Sequence, residues 1–314
     1  MKTFMKKLYH SSTHIRRLHH SFSPLFRKRS RRQKYWEFIN FLPERDLTVD
    51  TLHGRLSLSS KDRVIGRKLF VTRQYGYVDL LKAIDILKLH NKLLESNHGY
   101  IVDIGANIGT VCIPLVSNGV FRKALAFEPE PRNFRYLLRN IEQNQLTNRI
   151  SAYQFGLTST KGELELEICD NNYGDHRIRM EGSSLLNYYG EQARKVIRVP
   201  MQSLDYTIQS LGLDPKELKL LWIDVQGHEW YVLQGAKSTL ATDVPVVIEL
   251  WPYGLQSLGT NIELFIEIVS TNFTYLFDLR EQNPQKRSVS YIREMFAILR
   301  SSGSGSQTDV LLLN

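Results

Sequence analysis

The sequence predicts an α/β fold built on a doubly wound, mostly parallel sheet. Short apolar runs end in an acid at Tyr100–Asp103, Lys123–Glu128 and Leu220–Asp224. Segments with helical spacing separate such runs. The runs are also continuous in apolar character, as strands covered on both faces must be. Strands alternating with helices require crossovers, which place helices on both faces of a parallel sheet.

The elements follow in order. Residues 37–98 read as a helical and mixed lead-in to a domain at 99–314. Within the lead-in, Leu80, Leu81, Ile84, Leu87 and Leu94 fall at helical spacing, and Asn97-His98-Gly99 reads as the helix stop. After the strand at Tyr100–Asp103, Thr110–Leu115 has helix character despite Pro114. Lys123–Glu128 is the second strand, Glu130–Asn144 a helix and Ile150–Phe155 the third strand. Gly162–Cys169 alternates Leu164, Leu166 and Ile168 with Glu163, Glu165 and Glu167, the period of a half-exposed strand. Residues 170–192 read as a polar loop. Leu220–Asp224 is the fourth strand, followed by a helix at Glu229–Leu240, a strand at Val244–Leu250 and a helix at Ile262–Val269. Phe273–Leu279 and Asp309–Leu313 complete the strands, and Ser301–Ser306 reads as a flexible connection within the domain.

Composition bounds the class. The 314 residues are 42% hydrophobic and 23% charged, ordinary for a globular chain with a sizeable core. The net charge of +9 is unevenly spread. Residues 1–36 hold eleven Lys and Arg and no acid, leaving about −2 on the remainder. The stretch reads as a flexible basic tail. Ile15, Leu18, Phe22 and Phe26 within it also suit a basic amphipathic helix, interrupted by Pro24. Attachment to an anionic membrane surface, contact with nucleic acid and organelle targeting stand beside the free tail as readings. No aromatic–basic RNA-binding motif supports the nucleic-acid reading. Cys112 and Cys169 are too few for a disulfide framework and lack metal-ligand spacing. No apolar run reaches the roughly 18 residues of a membrane span. The expectation is a cytoplasmic protein, or one peripheral to a membrane.

The strongest local signal is Ile101-Val-Asp103-Ile-Gly105-Ala-Asn107-Ile-Gly109. In an open α/β sheet, ligands sit beyond the carboxyl ends of the strands. Gly105 and Gly109 remove side chains where the chain turns and a ligand approaches. Glu128, nineteen residues past Gly109, ends the next strand, where an acid can accept both hydroxyls of a ribose. A dinucleotide fingerprint has G-x-G-x-x-G beside a pyrophosphate. Here the order is D-x-G-x-N-x-G. The acid repels phosphate and suits an amino-acid ammonium, which points to S-adenosylmethionine. The plain alternative is a glycine turn in an ordinary βα unit.

These residues resemble the FkbM-type methyltransferase family. The resemblance rests on VDIGANIGT at 102–110, AFEPEPRNFRYLLRNI at 126–141, LLWIDVQGHEWYVLQGA at 220–236 and VVIELWP at 246–252. It implies S-adenosylmethionine as cofactor and methyl transfer to an oxygen of a sugar, polyketide or related small molecule. It also implies a Rossmann-like, seven-stranded sheet with one antiparallel strand near its edge. The cofactor-site residues it implies are Asp103, Gly105, Ala106, Asn107, Gly109, Glu128, Pro129 and Asn133. Asp224, Gly227 and Glu229 match its acidic second motif. Gln226 stands where the family commonly has a third acid, which argues against chemistry needing three carboxylates.

Asp224, His228 and Glu229 are the catalytic candidates, since a carboxylate or imidazole can take the hydroxyl proton as methyl transfer acidifies it. Alternatively Glu229 favours the positive end of the following helix, and His228 is a surface residue. Asp175, His176 and Arg177 in the polar loop, with Trp251 after the fifth strand, are the acceptor-binding candidates. Each also reads as an ordinary turn or core residue. Asp224 and Glu229 would suit a hard cation, but the set is sparse and no metal is assigned. The expected partner is a small-molecule or carbohydrate-type methyl acceptor. A non-catalytic cofactor-binding module, motivated by Gln226, is the alternative.

Overall fold

A computed structural model describes residues 29–94, 96–180 and 188–314. The spacing of Ile15 to Phe26 lies outside the described residues. A helix runs from 29 to 41, so its first turns fall within the stretch read as tail. Trp36 explains why: it is 2% exposed and packs against Phe70 with ring centroids 5.4 Å apart.

The strands in chain order are β1 (Asp46–Thr51), β2 (Gly54–Ser59), β3 (Tyr100–Ile104), β4 (Lys123–Phe127), β5 (Ile150–Tyr153), β6 (Gly156–Leu157), β7 (Gly162–Ile168), β8 (Arg177–Arg179), β9 (Lys195–Gln202), β10 (Leu218–Ile223), β11 (Val246–Leu250), β12 (Tyr275–Asp278), β13 (Arg287–Ser288) and β14 (Thr308–Leu313). The main sheet has the order β13-β12-β14-β11-β10-β3-β4-β5. Strands β11, β10, β3, β4 and β5 pair in parallel. β14 runs antiparallel to both β11 and β12, which makes it the antiparallel strand near the edge. The expected seven strands are present. The eighth is the two-residue β13, too short to show a period.

Period-two geometry divides the strand residues between two cores. Ile101, Ala124, Ala126, Leu220, Trp222 and Val247 face the helices at Tyr77–Leu89, Cys112–Ser117 and Pro131–Gln143. Val102, Ile104, Leu125, Leu221, Ile223 and Ile248 face those at Leu204–Ser210, Glu229–Gln234, Ile262–Asn272 and Ile292–Ser301. The sheet is thus covered on both faces, as its continuous apolar strands require.

Several boundaries differ from the expected ones. The helix from Tyr77 ends at Leu89, ten residues before Gly99. Pro114 is harmless because it sits in the first turn of Cys112–Ser117, where its missing N–H has no helical partner. The expected helix Glu229–Leu240 is two pieces, Glu229–Gln234 and Lys237–Leu240, joined at Gly235. Residues 170–192 are not simply a loop, because Arg177–Arg179 pairs with β7. A four-stranded second sheet, β6-β9-β7-β8, sits beside the carboxyl edge of the first. The lead-in holds the antiparallel hairpin β1-β2, which Asn140 ties to the domain: its Oδ1 accepts from Ser57 N at 2.6 Å and its Nδ2 donates to Ile108 O at 2.8 Å. No described helix is long and apolar enough to cross a membrane.

Candidate functional site

The site grows from the tips of β3, β4, β10 and β11. Gly105 turns the chain at φ +85°, and an added Cβ would overlap the backbone carbonyl of Asp224, so only glycine fits. The Gly105 and Ala106 amides donate to Phe127 O at 3.0 and 2.9 Å, fixing the turn to the tip of β4. Gly109 also needs positive φ, at +93°. Asp103 Oδ2 accepts from Cys112 N at 3.0 Å, at the start of the next helix.

Glu128 is fixed from both sides. Its Oε2 accepts from Asn107 N and its Oε1 from Glu130 N, each at 2.8 Å. Asn107 and Asn133 both donate Nδ2 to Tyr173 O, at 2.7 and 2.8 Å. Their Oδ1 atoms are buried without a hydrogen-bond partner among the described residues. Such orphaned acceptors call for a ligand donor.

Two cavities meet at this point. A narrow one runs past Phe127, Glu128, Pro129, Leu157, Met201 and His228. A wide cleft of about 640 Å³ opens over Asp103, Trp222, Glu249, Trp251 and Asp309. Gly105, Asn107, Gly174, Asp224 and Gln226 line both. Asp103 and Glu128 are thus buried but border an open crevice.

The cleft floor is lined by buried acids. Burial raises Asp103 to about 6 and Asp309 to about 7, and raises Glu128 in the narrow cavity to about 8. Burial also raises Asp224, and raises Glu249 well above the usual carboxylate range. Arg280 is the facing cation, 3.8 Å from Asp309. Gln226, held at φ +54°, donates Nε2 to Asp224 Oδ1 at 2.6 Å and to Glu249 Oε2 at 3.3 Å. A cationic ligand would relieve this crowding.

The catalytic candidates separate in space. Asp224 stands where the cavities join. His228 is 1% exposed and no surface residue: its Nε2 meets Thr158 Oγ1 at 3.0 Å, and burial depresses its basicity to about 3, keeping it neutral. It borders the narrow cavity only. Glu229 lines neither cavity. Its Oε1 accepts from Val225 N at 3.2 Å and Gly227 N at 3.1 Å, stapling the turn that carries Asp224, and burial raises it to about 7.

The acceptor-side candidates prove to be tied up with one another. Arg177 is clamped by Asp175 at 2.6 Å and Glu191 at 2.7 Å, and Arg194 holds the other oxygen of Asp175 at 2.7 Å. The Arg177 guanidinium lies 4.5 Å from the Trp251 ring centroid and 5.1 Å from that of Tyr189. Arg177 thereby braces an aromatic wall of the cleft. Trp251 Nε1 donates to Ser304 O at 2.8 Å, so the serine–glycine segment closes the far side. His176 lines the narrow cavity instead; Cys169 N donates to its Nδ1 at 3.1 Å, and burial depresses it to about 3. Sequence reasoning missed Tyr75, Glu249, Arg280 and Asp309 in the wide cleft. For Glu249 and Asp309 the available signal was an acid inside an otherwise apolar strand.

Residues 103–299 match the model of the Methyltransferase FkbM domain. The chain belongs to the FkbM methyltransferase family. It is 30% identical over 202 residues to the hexuronic acid methyltransferase AglP of Haloferax volcanii, covering 62% of this chain and 74% of that protein. It is 27% identical over 169 residues to the 2-O-methyltransferase NoeI of Sinorhizobium fredii, covering 51% and 67%. A solved FkbM methyltransferase from Methylobacillus flagellatus KT aligns at 15% identity and a TM-score of 0.42, over 69% of this chain and 44% of that one. This FkbM chain is an S-adenosylmethionine-dependent methyltransferase. The site fits that cofactor: buried carboxylates suit its ammonium and sulfonium, and the orphaned Asn107 and Asn133 oxygens suit its donors.

Proposed function

We propose that this FkbM methyltransferase transfers a methyl group to a hydroxyl oxygen of a sugar-containing small molecule, with Asp224 as general base. The observation that carries the reading is the place of Asp224, a buried carboxylate at the junction of the narrow cavity and the wide cleft. The printed names of AglP and NoeI, a hexuronic acid methyltransferase and a 2-O-methyltransferase, support a sugar hydroxyl as acceptor.

In this reading Glu128 receives the ribose hydroxyls and Asp103 the ammonium. Pro129 and Leu157 enclose the base, and Gly105, Ala106 and Gly109 let the cofactor lie close to the backbone. Bound S-adenosylmethionine supplies an electrophilic methyl group on a sulfonium. Asp224 would take the proton from the acceptor hydroxyl as the new C–O bond forms and the methyl–sulfur bond breaks, with S-adenosylhomocysteine as the leaving group. Burial raises the Asp224 pKa, which strengthens it as a proton acceptor. Gln226 orients Asp224 through the 2.6 Å hydrogen bond. Trp251 offers a flat apolar face to a sugar ring. His228, neutral and on the narrow-cavity side, holds Thr158 through its Nε2 and takes no part in the proton transfer.

Calorimetry with S-adenosylhomocysteine and methyl transfer to a panel of glycosides test the reading together. Asp224→Asn should lower turnover about 10²–10⁴-fold, the usual worth of a general base, with cofactor-product affinity retained. Asp103→Ala and Glu128→Ala should weaken that affinity instead. Turnover surviving Asp224→Asn would remove it as base. Gln226 in place of the family's acid favours a second reading, a binding module without transfer. Cofactor binding with no product from any glycoside would favour it.

A further inference from the structure

The wide cleft does not end at the acidic floor. It adjoins a second groove of about 600 Å³ between the helix at 29–41 and the helix Ile65–Thr72. Lys68, Tyr75, Gly76 and Asp79 line both spaces and mark where they adjoin. Tyr75 marks the junction: burial raises its hydroxyl pKa, and the facing carboxylates Asp224, Glu249 and Asp309 push the same way.

The charge reverses across this junction. Arg29, Arg32, Arg67 and Lys68 line the groove, and none forms an ion pair among the described residues. The groove's acid, Asp79, is taken by Lys82 at 3.0 Å. Arg32 reaches only the Val71 carbonyl, at 3.4 Å, and Lys68 lies 5.2 Å over the Tyr75 ring. Like charge is crowded here as well, since Arg32 adds to burial in lowering the basicity of Arg73. Four cations without an ion-pair partner among the described residues line one concavity, and together they attract an anion. Arginine forks match carboxylate and phosphate oxygens.

We propose that the groove binds an oxyanion carried by the methyl acceptor, so that the acceptor is an anionic sugar bearing a carboxylate or a phosphate. This rests on the reading of the wide cleft as the acceptor site. The acidic floor receives the cationic cofactor, and the basic groove receives the acceptor's negative group. Arg67 and Lys68, on consecutive positions of one helix at the junction, select the anionic acceptor. Arg29 and Arg32 close the groove from the opposite helix.

The test uses the full chain saturated with S-adenosylhomocysteine and three probes: D-glucuronate, α-D-glucose 1-phosphate and neutral methyl α-D-glucoside. Titration calorimetry at two salt concentrations should show at least one anionic probe binding at least tenfold tighter than the neutral glucoside. Its affinity should fall as salt rises. Glucuronate binding alone assigns a carboxylate, and glucose 1-phosphate binding alone a phosphate. Arg67→Ala with Lys68→Ala should abolish the tenfold preference while S-adenosylhomocysteine affinity and melting temperature stay unchanged. If that pair disturbs folding, Arg29→Gln with Arg32→Gln gives the same readout from the other wall. Equal binding of charged and neutral sugars, no binding of either anion, or a preference unmoved by both pairs would overturn the assignment. The S-adenosylhomocysteine arm keeps the two readings apart. Retained cofactor binding and transfer to a neutral glycoside, without anion preference, would defeat this inference alone. Failure to bind the cofactor would defeat the reading beneath it.

Discussion

At the scale of single residues, the site is governed by how few charges its neighbours compensate. Gln226 shows it best. Its amide donates to Asp224 and Glu249 at once, so one neutral side chain separates two buried carboxylates. Gln226→Glu would place a third acid within hydrogen-bonding distance of both. Like charges raise one another's pKa. The substitution should therefore shift the alkaline-going limb of the methyl-transfer pH profile upward, because Asp224 would ionise less readily. It should also cost more stability at pH 8 than at pH 6. A pH profile and two melting curves would check this, and an unmoved limb would mean that Gln226 does not govern Asp224. The sequence made residues of this kind legible only where a motif carried them. Asp103, Gly105, Asn107, Glu128 and Asp224 stand at strand tips, and strand tips can be read from pattern. Asp175 and Arg177 were legible as charged residues but not as each other's partners. Nothing in the order of the chain shows that Glu191 and Arg194 complete their clamp.

At the scale of elements, local signals succeeded where the chain itself decides the structure and failed where a distant segment does. The helix Pro131–Gln143 was readable because its start is self-contained. Glu130 accepts from Asn133 N at 2.6 Å and Pro131 occupies the first turn. The helix read as continuous from Glu229 to Leu240 breaks at Gly235 for a reason outside it. An added Cβ there would overlap the backbone carbonyl of Thr158 and crowd Ser203. The φ of −84° suits any residue, so only space forbids a side chain. Gly235→Ala should therefore destabilise by about 1–3 kcal/mol, as overpacking does, with no contribution from backbone strain. Denaturant unfolding would measure it. A neutral or stabilising result, as expected for alanine in an open helix, would show that the approach to Thr158 is loose. The second sheet escaped sequence reading for a similar cause. β8 and β6 are three and two residues long, below any visible period, and exist by pairing with β7 and β9.

At the scale of the molecule, one cleft draws its walls from the lead-in helices, the strand tips of the main sheet and the segment before β14. That explains why the cofactor half of the site was legible and the acceptor half was legible only in part. The first lies within one stretch of chain, whereas Lys68, Tyr75 and Asp309 join Trp251 only after folding. Buried acids in and beside that cleft set the pH response of the fold. Asp103, Glu128, Glu229 and Asp309 have folded-state pKa values of about 6, 8, 7 and 7, all raised by burial. A carboxyl group with a raised folded pKa stabilises the native state in its protonated form, and that contribution is lost as pH rises through the folded value. Buried His53, His176 and His228 act oppositely, with folded values of about 4, 3 and 3, so they lose stability as pH falls below their unfolded value of about 6.5. Above that value they are neutral in both states and drop out. Between pH 6.5 and 8.5 the carboxylates therefore decide, and the melting temperature of the ligand-free protein should fall steadily. Saturating S-adenosylmethionine should offset the part of the decline that belongs to Asp103 and Asp309, the two of these acids that line the wide cleft, because a cation beside their ionised forms stabilises the charge that burial penalises. The gain in melting temperature on adding cofactor should thus grow across that window. Parallel scans with and without cofactor at half-unit pH steps would show it. A gain that stays flat from pH 6.5, or shrinks toward pH 8.5, would mean that Asp103 and Asp309 do not face the cofactor's positive end.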